Sequence, residues 1–296
     1  MLLRPERYLR HVAIPRAWCV SAVLILVVAC KSPVTEPLPA AVYPSIAYGT
    51  DPAQLMDIRL PAGRSNTTPV VIFIHGGGWS GGDKSIFLPV DLQQFVDAGY
   101  ATVNINYRLA SNSPAVHDPA LSDDVTAAID FMATHSGEYI VSGSKFAAVG
   151  HSAGAHLALL EAFKYNGSSR IKAVASLSGP TDLSDSTFLA IPTVRTTIET
   201  YLGVTQAAGP TRWTGASPVS VATAASPPTI ILQGAVDVLV PQVEGDKLHA
   251  RLVALAVADE YHLFPTYNHD LNYATVGHFP GDVLNPVLAW FAKYVK

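Results

Sequence analysis

Apolar positions along this chain fall in short blocks whose period changes from one block to the next. Val70-Val71-Ile72-Phe73-Ile74 is an unbroken run, the pattern of a strand buried on both faces of a parallel sheet. Residues 146–149, 171–177 and 229–232 are runs of the same kind, 260–264 reads as the last strand, and 100–107 alternates. Upstream, 46–48 and 55–60 flank Gly49-Thr50-Asp51-Pro52, which predicts an antiparallel pair around a turn. Between the later runs the period lengthens. Residues 121–135 carry apolar side chains at 121, 125, 128, 129 and 132, a helical stripe. Further helices are predicted at 83–95, with Asp83 as the N-cap, and at 155–163, 242–256 and 286–295. Strand and helix alternate along the chain, so the expected fold class is α/β, a mostly parallel central sheet with helices on both faces. The alternation breaks at 181–227, which is rich in Pro, Gly, Ser and Thr and predicts one helix near 196–202. That segment reads as a small cap insertion.

Composition narrows the partners. The chain has 296 residues, 49% of them hydrophobic, and a net charge of −4 with no long block of either sign. This is a globular composition with no nucleic-acid footprint. The two cysteines are Cys19 and Cys30, so the expected domain has neither a disulfide nor a thiolate metal site.

Both cysteines belong to a leader. Arg4, Arg7, Arg10 and Arg16 precede an apolar stretch at 17–30, shorter than the ~20 residues of a spanning helix. Residues 1–30 therefore read as a secretory signal. Val27-Val28-Ala29-Cys30 resembles a lipobox, which implies lipidation of Cys30 and an exported protein held at a membrane by its lipid alone. Lys31 in place of aspartate implies outer-membrane sorting or display at the cell surface. The alternative is an ordinary signal peptide and a periplasmic or secreted product. Residues 31–44 contain Pro33, Pro37, Pro39 and Pro44 and read as an extended linker, leaving 45–296 as the domain.

The chemistry concentrates where predicted strands end. Gly150-His151-Ser152-Ala153-Gly154 lies between a strand and a helix, the context of a nucleophile elbow. The structural alternative for Ser152 is the N-cap of that helix. Strand 70–74 runs into His75-Gly76-Gly77-Gly78-Trp79, where glycines let backbone amides approach a ligand closely. Asp237 and His269 follow the last two predicted strands. A serine hydroxyl needs an imidazole to take its proton, and the imidazole needs a carboxylate to fix its tautomer. The order Ser152, Asp237, His269 is the one expected of an α/β-hydrolase. The N–H groups of Gly77, Gly78 and Ala153 are then the oxyanion donors. His278 rivals His269 as the base, and His269 is preferred because it directly follows the last strand. Trp79 reads either as a core aromatic or as a substrate contact, and His151, beside the serine, as a pocket residue.

These motifs resemble a known group. His75-Gly-Gly-Gly-Trp79, Gly82-Asp83-Lys84, Tyr107-Arg108, Gly150-His-Ser-Ala-Gly154 and Ala216-Ser217-Pro218-Val219 are similar to bacterial α/β-hydrolase serine esterases. The nearest groups are the feruloyl/acetyl-xylan esterase-like and hormone-sensitive-lipase-like carboxylesterases. Two positions differ: Asn268-His269-Asp270 stands where Gly-His-Gly is usual, and Gln233-Gly234 where His-Gly is usual. The resemblance implies the α/β-hydrolase fold, the triad Ser152, Asp237 and His269, no metal or organic cofactor, and a small-molecule ester as partner. The expected activity is hydrolysis of short-chain or aromatic acyl esters through an acyl-enzyme. An amidase, formamidase or peptidase using the same triad is the alternative, and a non-catalytic surface-binding protein on this fold is a third reading. Oligomeric state is left open.

Overall fold

The structure is a computed structural model and describes residues 37–296. The leader, Cys30 and residues 31–36 of the linker lie outside the described residues. Two N-terminal strands, β1 (Ala41–Ala47) and β2 (Leu55–Leu60), pair antiparallel. β1 starts inside the stretch expected to be linker. Pro44 is accommodated because the register shifts between Tyr43 and Ile46 on an edge strand, a place where a missing N–H interrupts no ladder.

The rest alternates. β3 (Val70–Ile74) leads to α1 (Pro89–Asp97), then β4 (Ala101–Ile105). A two-residue hairpin, β5 (Ser111–Asn112) and β6 (Ala115–Val116), replaces the plain loop expected there. Next come α2 (Ala120–Thr134), the short α3 (Ser136–Tyr139), β7 (Phe146–His151), α4 (Ala153–Leu160) and β8 (Ile171–Leu177). The insertion holds four short helices, α5 (Ser186–Leu189), α6 (Val194–Leu202), α7 (Pro210–Gly215) and α8 (Pro218–Val221). The chain continues through β9 (Thr229–Gly234), α9 (Gln242–Ala254), β10 (Asp259–Phe264), α10 (Tyr273–Val276) and α11 (Gly281–Tyr294).

Among the described residues the main sheet runs β1-β2-β4-β3-β7-β8-β9-β10, parallel from β4 to β10. Strands β3, β4, β7 and β9 are buried throughout, as the unbroken apolar runs require. Their side chains alternate between two cores. Val70, Ile72 and Ile74 join the one beneath α2 and the cap, while Val71 and Phe73 join the one beneath α1 and α11. Ile-, Val- and Phe-rich strands thus bury apolar surface on both faces, each such side chain worth roughly 1.5–3 kcal/mol.

Two helix boundaries differ from expectation. Asp83 caps only a single 3₁₀ turn, accepting from Ser85 N, and α1 begins afresh at Pro89. Proline at the first helical position sacrifices an amide that has no partner there anyway. Conversely, α11 starts at Gly281 and runs through Pro286. Burial of Val283, Leu284 and Val287 against the sheet extends it upstream.

Candidate active site

The C-terminal ends of β3, β7 and β9 lie side by side in the sheet with β8 between the last two, and the loops leaving them build one cavity. β7 ends in a turn that forces Ser152 to φ 54, ψ −122. A non-glycine residue rarely holds such a positive φ. The turn is tight enough to demand its glycines. A Cβ at Gly150 would lie 2.2 Å from Gly154 O, and one at Gly154 2.1 Å from Ile74 O. The serine stands off the sheet, half-buried, with its amide bonded to Leu177 O on β8 at 2.8 Å. Ser152 does hold the N-cap position of α4, its O accepting from His156 N at 3.1 Å, but its side chain caps no amide of that helix.

Asp237 and His269 meet Ser152. His269 Nδ1–H donates to Asp237 Oδ2 at 2.8 Å, and His269 Nε2 accepts from Ser152 Oγ at 2.9 Å. The carboxylate can only accept, so it selects the tautomer that leaves Nε2 free for the hydroxyl proton. Asp237 is buried but fully partnered. Its Oδ1 accepts from Leu239 N and Val240 N at 2.8 Å each, and Gln233 Nε2 approaches Oδ2 at 3.3 Å. Gln233 also donates to Val240 O at 2.9 Å. The residue that stands where histidine is usual therefore braces the acid's turn.

His278, the rival base, is elsewhere. Its Nδ1 donates to Phe279 O at 2.8 Å and lies 3.7 Å from Asp91 Oδ1. Asp270 caps the next turn, accepting from Ala274 N at 3.2 Å.

The loop after β3 faces the serine. Gly77 and Gly78 adopt φ 122 and φ 57, a path only glycine follows without strain. Among the described residues neither of their N–H groups bonds to a protein acceptor. Ala153 N–H is the first of α4 and has no partner within the helix. All three residues line the cavity that holds Ser152 and His269. His75 orders this loop from behind: its ring stacks on Tyr107, whose hydroxyl donates to His75 O at 2.9 Å. Burial pushes the His75 imidazole below its ordinary pKa. Arg108 then ties the following turn to the buried Asp124 of α2. These contacts give Tyr107 and Arg108 their place in the motif.

Trp79 is both core and wall. It is 2% exposed yet lines the cavity, stacked on Tyr201 of α6 with ring centroids 4.8 Å apart. Its indole N–H donates to His156 Nδ1 at 3.3 Å, and His156 Nε2–H donates to Ala216 O at 2.7 Å. Tyr201 OH donates to Asp118 at 2.9 Å. The cap is thus tied to the sheet domain by a buried polar network.

The cavity measures about 360 Å³. Phe188, Val194 and Thr197 from the cap form one wall, and Leu239 and Val240 beside Asp237 form another. Asp83 supplies a carboxylate held near pKa 2, where hydrogen bonds from Asn106 and from Ser85 outweigh desolvation. Among the described residues no group of three or more His, Cys, Asp or Glu side chains is arranged to hold a metal ion.

Sequence reasoning placed His151 in the pocket, and it does line the cavity, but its Nε2 bonds to His269 O at 3.0 Å. That contact joins residues 118 apart and has no signal in the sequence.

Comparison with known proteins bears on the same segments. The BD-FAE family model matches residues 56–252, from β2 into α9. Esterase LipC of Mycobacterium tuberculosis is 27% identical over 232 residues, covering 71% of this chain and 55% of its own length. Kynurenine formamidase of Meyerozyma guilliermondii is 39% identical over 117 residues, 38% of this chain and 40% of its own. The chain thus spans about half the length, or less, of these relatives. Among solved structures, a thermophilic esterase from the Planctomycetes species Thermogutta terrifontis superposes with a TM-score of 0.70 at 21% identity. That match covers 86% of this chain and 92% of the other.

Proposed function

Since the chain belongs to the BD-FAE family and carries the α/β-hydrolase fold, we propose that it hydrolyses carboxylic esters through a covalent acyl-enzyme on Ser152. The observation that carries this reading is the continuous Ser152–His269–Asp237 hydrogen-bond chain beside the free amides of Gly77, Gly78 and Ala153. Ser152 Oγ attacks the ester carbonyl carbon while its proton passes to His269 Nε2. Asp237 stabilises the imidazolium, and the three amides hold the oxyanion, each worth roughly 3–4 kcal/mol. Collapse breaks the C–O bond, and the alcohol leaves with the proton from His269. Water then attacks the acyl carbon by the same route, releasing the acid and restoring the serine.

The acyl group in this reading is short-chain or aromatic. The compact cavity and its Trp79, Phe188, Val194 and Leu239 walls support an apolar group of that size. A chromogenic panel of acetyl, butyryl, octanoyl and feruloyl esters tests it, with Ser152→Ala as control. We expect serine-dependent turnover of the short or aromatic members. Turnover confined to octanoyl, or retained by the mutant, would refute it. The likeness to kynurenine formamidases favours a second reading in which the same groups cleave an amide. Activity on a formanilide and on no ester would select that one.

We further propose that the protein is exported and acylated at Cys30, on the strength of the basic, then apolar, leader ending in Val-Val-Ala-Cys. Metabolic labelling with an alkynyl fatty acid should mark the wild-type chain and not Cys30→Ser. Equal labelling, or none in either, would refute the anchor.

A further inference from the structure

Accepting the ester-hydrolase reading, we infer that His151 is a positioning residue for the catalytic base: it grips the backbone of His269 while its neighbour Ser152 engages the side chain. The two contacts are His151 Nε2 to His269 O at 3.0 Å and Ser152 Oγ to His269 Nε2 at 2.9 Å. They come from consecutive residues at the end of β7 and reach the two ends of one residue on the loop after β10. A carbonyl only accepts, so His151 Nε2 carries the proton and the ring is the donor.

The surroundings hold this arrangement. His151 is 6% exposed. Phe279 packs against its ring at 5.6 Å between centroids, and Phe279 is fixed in turn by Asp91, which accepts its amide at 3.1 Å. On the other side, Gly76 leaves no spare room: a Cβ there would lie 3.0 Å from His151 Nδ1. The ring therefore has one place to sit and one donor to offer.

The loop from β10 to α10 is held to the Asp237 loop by Val236 N, which donates to Tyr267 O at 3.2 Å. Apart from the side-chain contacts of His269 itself, the His151 bond fixes the base's backbone directly to the nucleophile strand. The charge state suits the role. Burial, then the neighbouring His269, lowers the His151 pKa to about 4, so His151 stays neutral beside an imidazolium whose ring is 5.1 Å away. Loss of the donor frees the base to shift, and displacements on the order of 1 Å cost about 100-fold in rate.

The test compares His151→Phe, which keeps an aromatic ring without the donor, with His151→Gln, whose amide N–H can reach the same carbonyl. With the best ester of the parent enzyme, we expect His151→Phe to lower kcat roughly 10- to 100-fold with KM within about twofold. His151→Gln should recover to within about fivefold of the parent. His151→Met replaces His151→Phe if the latter does not fold, since its flexible chain fills the site without a donor. Full kcat in the apolar variant, or equal losses in the apolar and Gln variants, would overturn the inference. A parent with no Ser152-dependent ester turnover would instead overturn the hydrolase reading on which it rests.

Discussion

Ser152, Asp237 and His269 come from three separate loops, yet each was visible in the sequence because it follows a strand and the chemistry requires its type. The choice between His269 and His278 was less legible, since both lie beyond the last strand. In the structure they part: His269 bridges Ser152 and Asp237, and His278 turns to Phe279 O near Asp91. His269→Ala should therefore reduce kcat/KM on the order of 10⁴-fold or more, while His278→Ala leaves it within a few-fold, read on one ester under one set of conditions. The reverse result would reassign the base. Gln233 and His151 show where residue-level reading stops. Gln233 acts through bonds to the turn that follows its own strand and His151 through a bond to a loop 118 residues away, and neither has a local periodicity or motif to betray it.

At the scale of elements, legibility tracked burial on two faces. β3, β7, β8 and β9 are parallel strands covered on both sides, and their sequences are near-continuous apolar runs with one reading. Helix ends were harder. Asp83 is a sound cap, but Pro89 starts a new helix two residues after the 3₁₀ turn's C-cap at Phe87. The four cap helices were the least legible. Three of them have four to six residues, too short to display a stripe, and the cap is held by tertiary contacts such as that of Tyr201, on the longer α6, with Trp79. Those contacts also give the cap its consequence. The helix that lines the cavity through Val194 and Thr197 carries Tyr201, and Tyr201 carries the tryptophan of the glycine loop. The pocket wall and the glycine loop are thus parts of one packed unit.

For the molecule as a whole, stability responds to buried acids as well as to the core. Glu161, at the end of α4, is 4% exposed, and among the described residues its side chain's only hydrogen bond comes from Thr126 at 2.6 Å. Burial raises its pKa from 4.5 to about 7. The folded state therefore holds a proton that the unfolded chain loses, so Glu161 costs no stability below about pH 4.5. Its cost grows as pH rises toward about 7 and is constant above that. Glu161→Gln keeps the acceptor and removes the charge. Its Tm should match the parent near pH 4.5 and exceed it by roughly 5 °C at pH 8. Thermal melts of both proteins across that range check this, and a difference independent of pH would contradict it. His151 and His156, both held neutral near pKa 4 by burial, act in the opposite sense and lose stability as pH falls below about 6.5. The parent-minus-variant difference isolates the glutamate.

All of these scales converge on the one event we propose, transfer of an acyl group to Ser152. Intact and peptide mass spectrometry of protein acid-quenched during turnover of p-nitrophenyl butyrate reads it directly. We expect a butyryl adduct on the peptide containing Ser152, absent from Ser152→Ala. Steady turnover of the same ester with no adduct, or with an adduct on another residue, would contradict it.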